Sequence, residues 1–154
     1  MSFLLEILDE QNILDTDTEK IQAVCEKILD DFHIRTGKLN VVLVDSDTIH
    51  QYNADFLKHD CPTDVISFVL EDKRSKHHLE GEVLACSEVA QERAKEFSWT
   101  PQEELMLYII HGMLHLVGFD DKTEEAEEVM RQKEKEYLSF IGIETPPWNW
   151  NDWE

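Results

Sequence analysis

The chain is short of positive charge. Lys and Arg number 14 against 34 Asp and Glu, a formal net charge of −20 over 154 residues. Polyphosphate binding through a bulk field draws on clustered Lys and Arg, so composition speaks against a general nucleic-acid binder. The same field favours a metal cation, and a polyanionic substrate would need a local basic patch or a partner to hold it. Cysteine is scarce as well: Cys25, Cys61 and Cys86 are odd in number and show no C-x-x-C spacing, which speaks against a disulfide framework and a thiolate zinc site and leaves reduced, packed thiols. No apolar run approaches the ~20 residues of a membrane span. MSFLLEILDE, at the start, carries acidic residues and neither a basic leader nor a small-residue cleavage site, so no signal peptide is expected and the expected location is the cytoplasm.

What is present is one domain's worth of chain, 42% hydrophobic and 31% charged, long enough to bury a core. Residues 3 to 8, FLLEIL, read as an opening strand. From Thr18 the positions Ile21, Val24, Cys25, Ile28, Leu29 and Phe32 recur at helical spacing, with Gly37 beyond. LNVVLVD (39 to 45) is a buried strand by its β-branched residues. Ser46 or Asp47 then caps a helix carrying Ile49, Tyr52, Phe56 and Leu57. VISFVL (65 to 70) and EVLACS (82 to 87) are further strands, joined by the polar loop EDKRSKHHLEG. Ser87 caps a helix through Phe97, and Thr100-Pro101-x-Glu103 starts another, with a capping threonine, a proline at the first helical position and a glutamate at the third. That helix is apolar nearly all round and so should be central. The last helix, from about Thr123 to Phe140, buries Ala126, Val129, Met130, Tyr137 and Leu138 and keeps its Glu and Lys residues in water. The expectation is one α/β (α+β) domain over 1–143, with a mixed sheet of about four strands and about five helices around the central one. Residues 144–154 form an extended tail with Trp148, Trp150 and Trp153, which either docks on the body or waits for a partner.

The central helix ends in HGMLHLVGFDD, residues 111 to 121. His111 and His115, at i and i+4, lie one turn apart on the same side of a helix, so both rings reach one ion. Gly118 permits a left-handed reversal, which would return Asp121 toward the pair as a third ligand and leave a fourth position for water. Asp121 could instead cap the following helix. The densest basic cluster, Lys73, Arg74, Lys76, His77 and His78, is either a solvated loop or a binding patch.

Read with PTDVISF (62 to 68) and GEVLACSEVA (81 to 90), this motif makes the chain resemble the YbeY family of metal-dependent endoribonucleases that mature ribosomal RNA, from about Val41 to Tyr137. The resemblance implies a single-domain α/β fold and one zinc ion held by His111, His115 and Asp121. It also implies phosphodiester hydrolysis of single-stranded RNA in maturation of the small-subunit rRNA 3′ end and ribosome quality control. Attack by water or by the substrate's 2′-hydroxyl stays open. The implied partners are ribosomal RNA and the small ribosomal subunit, where a basic ribosomal protein would meet an acidic face. Two positions depart from the family. Asp121 stands where the family has a third histidine, which makes the metal centre less positive. Leu57 stands where it has an arginine, leaving Lys58 as the neighbouring cation for a phosphate and the candidate catalytic side chain.

Two other readings compete. A zinc protease carries a glutamate general base directly after its first motif histidine, and here that position is Gly112. A zinc-stabilised ribosome-assembly factor without catalysis would also suit the charge, the missing arginine and the Trp-rich tail.

Overall fold

The computed structural model describes residues 2–52, 65–69, 77–97, 99–120 and 122–144. In chain order these form β1 (Ser2–Asp9), α1 (Thr18–Asp31), β2 (Thr36–Val44), α2 (Ser46–Tyr52), β3 (Val65–Val69), β4 (His78–Cys86), α3 (Ser87–Phe97), α4 (Pro101–Leu116) and α5 (Glu124–Phe140). The four strands form one mixed sheet in the order β1-β2-β4-β3. β1 runs parallel to β2 and β2 parallel to β4, with Thr36 opposite His78, while β3 closes the far edge antiparallel to β4.

Alternation along the strands sorts the core. Leu39, Val41 and Leu43 of β2 and Leu79, Val83 and Ala85 of β4 enter the main core with the apolar faces of α1, α4 and α5. Their neighbours Val42, Val44, Leu84 and Cys86 point to the opposite face and pack with Ile49 of α2. The inner strands are therefore covered on both faces, which is why LNVVLVD reads as a continuous apolar run. β1 lies at an edge, and its outward Leu4 and Leu8 remain exposed. Cys25 and Cys86 are both buried free thiols, and burial pushes the Cys25 thiol up to about 12, with help from Glu26. Among the described residues, no helix is long and apolar enough to cross a membrane.

Local readings needed correction in four places. The cap of α2 is neither Ser46 nor Asp47 but Asp45, whose carboxylate accepts from Thr48 N at 2.8 Å. The strand ends one residue earlier than expected, at Val44, so Asp45 is the last non-helical residue. Ser87 does not spend its hydroxyl on a cap: buried, it donates to Val44 O at 3.2 Å, tying α3 to the end of β2. In α5 the buried stripe runs through Met130, Glu134, Tyr137 and Leu138, so Val129 is 51% exposed while Arg131 and Glu134 are buried. β4 also absorbs HLEG from the expected loop. The reading of α2 as far as Leu57, and of the tail, extends outside the described residues.

Candidate metal centre

α4 starts where the capping box places it. Thr100 Oγ accepts from Glu103 N at 3.1 Å and Thr100 N donates to Glu103 Oε1 at 2.9 Å. The helix touches α1, α3, α5, β3 and β4. Gly112, between the two histidines, is where it presses closest on the sheet: a Cβ there would lie 2.8 Å from Val83 Cγ1 and 3.2 Å from Val65 Cγ2. At the far end Gly118 takes φ +113°. Gly118 N then donates to His115 O and Phe119 N to Leu114 O, at 3.1 and 2.9 Å, the paired bonds of a left-handed helix stop. That stop turns the Phe119 carbonyl back onto the last turn.

The two imidazoles meet there. His111 Nε2 and His115 Nε2 are 3.0 Å apart, with the rings edge-to-face at 82°. His111 Nδ1 donates to Glu134 Oε2 at 2.7 Å, and His115 Nδ1 donates to Phe119 O at 3.1 Å. A carboxylate and a carbonyl can only accept, so each ring carries its proton on Nδ1 and, when neutral, its lone pair on Nε2. Two lone pairs thus face each other at close range, which is repulsive unless a cation lies between them. Tetrahedral zinc with nitrogens at ~2.0–2.1 Å separates two of them by roughly 3.3 Å, so a slight swing of the rings makes room for one ion.

The surroundings match a metal pair in kind. Ligating histidines characteristically give their second nitrogen to a carboxylate or a backbone carbonyl, and here one does each. Glu134 is wholly buried, and Arg131 Nη1 donates to both its oxygens, at 3.0 and 3.1 Å. Arg131 thereby balances the carboxylate that orients His111. His111 is buried and His115 half-buried, so the approach lies on the His115 side.

Of the sequence-predicted site residues, the structure brings His111 and His115 together. Asp121 lies outside the described residues, as do Lys58, Lys73, Arg74, Lys76 and Leu57. Among the described residues, no group of three His, Cys, Asp or Glu could hold a metal. The capping role considered for Asp121 belongs to Thr123, whose hydroxyl accepts from Ala126 N at 3.0 Å. Glu134 and Arg131 were missed, folded into the solvated face of α5. The available signal was spacing: Glu134 sits four residues after Met130 and three before Tyr137, an acid inside the apolar stripe.

Comparison with known proteins gives the family. The family described as "Endoribonuclease YbeY" matches residues 6–142. An endoribonuclease YbeY of Rhodopirellula baltica is 46% identical over 112 residues, 71% of this chain and 57% of that one. The chain thus spans little more than half of that relative. The endoribonuclease YbeY of Thermotoga petrophila is 34% identical over 97% of this chain and 91% of its own. The solution structure of a Thermotoga maritima protein superposes with a TM-score of 0.61 at 30% identity, over 89% of this chain and 91% of that one.

Proposed function

The chain belongs to the endoribonuclease YbeY family, and from that premise we propose that it is a metal-dependent endoribonuclease of ribosomal RNA maturation, with one zinc ion held by His111, His115 and Asp121. The observation that carries the reading is the pair of Nε2 atoms 3.0 Å apart, each on a ring whose Nδ1 is already committed. A bound divalent ion supplies Lewis acidity toward a phosphoryl oxygen and lowers the pKa of a water.

The protein's own groups do the rest. Glu134 fixes the tautomer and plane of His111, Arg131 holds that carboxylate in place, and the Phe119 carbonyl does for His115 what Glu134 does for its partner. Gly112 stands where a zinc protease has its general base, and a Cβ added there would run into Val83 and Val65; peptide hydrolysis would lack its proton acceptor. Substrate phosphates would be held by Lys58, in place of the arginine replaced by Leu57, with Lys73, Arg74 and Lys76. The charge of −20 leaves free RNA weakly attracted. The small ribosomal subunit, through a basic ribosomal protein, is the proposed docking surface.

Cleavage of a defined single-stranded RNA, with analysis of product ends, tests the reading. Cutting should be slow, abolished by chelator and by His111→Ala or His115→Ala, and reduced by Lys58→Gln. A 3′-hydroxyl end would indicate water as nucleophile, and a 2′,3′-cyclic phosphate the substrate's own hydroxyl. Cleavage that survives chelation and both histidine changes would refute it. A metal-loaded protein that sediments with small subunits and never cuts would favour the assembly-factor reading.

A further inference from the structure

The last turn of α1 and the start of β4 bring basic side chains together. α1 stops in a left-handed turn in which His33 N donates to Asp30 O and Ile34 N to Leu29 O, and His33 itself has φ +59°. That position favours glycine, because a side chain with a Cβ is disfavoured there. A histidine nonetheless occupies it, exposed. Its carbonyl accepts from His77 Nδ1 at 2.9 Å, so the strained turn of α1 is tied to the start of β4 across 44 residues of sequence. Arg35 N and Thr36 N both donate to His77 O, at 2.8 and 3.2 Å. The Arg35 guanidinium reaches back to His33 Nδ1 at 3.4 Å. Three basic side chains from two separate segments are thus fastened side by side.

This group is joined to the metal pair by direct contacts. The Phe32 ring, adjacent to His33, packs edge-on against Phe119 with centroids 5.4 Å apart, and the Phe119 carbonyl is the one that holds His115 Nδ1. Among the described residues, acids paired at or beside the ledge are Asp30, 3.2 Å from Arg35, and Glu80, 3.2 Å from His78. The Asp30–Arg35 pair is open to water, its side chains 74% and 41% exposed, and such pairs hold weakly. Arg35 retains further donors in its fork that a phosphate oxygen could take.

We propose that His33, Arg35 and His77 form a ledge, with Arg35 as its cation, that grips the sugar–phosphate backbone of single-stranded RNA beside the bond positioned at His111 and His115. The inference rests on the nuclease reading above and names where its substrate lies. It gives the histidine at a glycine position a reason to be there. It also gives the acidic chain a local cation for the backbone, Arg35, whose side chain is 41% exposed.

The test uses the metal-loaded full chain and two probes: a 12-nucleotide single-stranded RNA for cleavage and its 2′-O-methyl counterpart for binding by anisotropy over a salt series. The variants are Arg35→Gln, His77→Gln and His33→Gly, the last of which suits the left-handed turn and should fold at least as well as the parent. Lys95→Gln, an exposed cation on α3, is the control. Arg35→Gln should weaken binding and raise KM by about tenfold, with kcat and metal content unchanged, and should reduce the slope of log affinity against log salt by about 0.7. His33→Gly and His77→Gln, which remove a contact to Arg35 and the tie to its turn, should raise KM in the same direction with the salt slope unchanged, and Lys95→Gln should change neither. If the parent cuts RNA while all three variants keep its KM and salt slope, the ledge is wrong and the nuclease reading stands. If the parent binds but never cuts, and the slope still falls in Arg35→Gln, the ledge stands and the nuclease reading fails. No binding by the parent at any salt overturns both.

Discussion

Glu134→Gln is the substitution that most sharply separates a metal-orienting carboxylate from an ordinary solvated one. Gln keeps the volume and one acceptor oxygen, but it removes the charge that faces Arg131, itself only 3% exposed. Breaking a buried ion pair by removing one partner costs about 3–5 kcal/mol. Because Gln can still accept one of the bonds from His111 or Arg131, the expected loss falls just below that range, about 2–3 kcal/mol. For a chain of this length that corresponds to a fall in Tm of roughly 4–12 °C, readable by calorimetry in the presence of chelator. Metal affinity, measured by competition with a chromophoric chelator, should fall 10- to 100-fold, the usual effect of losing an outer-shell partner, as an order-of-magnitude estimate. Adding Arg131→Met should recover part of the stability, since an unpaired buried cation is removed, and none of the metal affinity. The reasoning is refuted if Glu134→Gln melts with the parent and binds metal equally well, for then the 2.7 Å contact to His111 contributes neither to the fold nor to the site.

Other expectations follow from single contacts. Thr123→Ala should cost about 1 kcal/mol through loss of the α5 cap, whereas Asp121→Ala should spare the helix and lose the metal; denaturant midpoints and metal content check both. Asp121→His should keep or tighten metal binding, and loss of metal in that variant would remove Asp121 from the ligand set. Gly112→Ala places a methyl 2.8 Å from Val83 Cγ1 and should destabilise by about 1–3 kcal/mol through overpacking, visible in urea unfolding. The Thr48 N–H holds the Asp45 carboxyl below the usual carboxylate range. Its contribution to stability is therefore present above the unfolded pKa of about 3.9 and lost as pH falls through the lower folded value. Asp45→Asn should flatten that acid limb of the stability curve while leaving neutral stability nearly unchanged.

The elements were legible where a single local cause dictates them. The Thr100–Glu103 capping box, the β-branched run of β2 and the i, i+4 histidines each announce themselves within a few residues, and each is found where expected. What failed was register and burial set by distant partners. Whether Val129 or Glu134 faces inward depends on how α5 rolls against α4, and a buried acid is invisible until the histidine it serves is placed beside it in space. The hydroxyl of Ser87 is similarly claimed by a carbonyl 43 residues away. The His33–Arg35–His77 association joins two segments through a parallel β2–β4 pairing. No periodicity along either segment could have signalled it.

X-ray absorption at the zinc edge of the zinc-loaded full chain tests the central claim most directly. With His111 and His115 as ligands, the spectrum should show two imidazole nitrogens at about 2.0–2.1 Å, the remaining shell filled by oxygen and no sulfur. The His111→Ala, His115→Ala double variant should retain no zinc. A spectrum with sulfur or with oxygen alone, or full zinc occupancy in the double variant, would contradict the account.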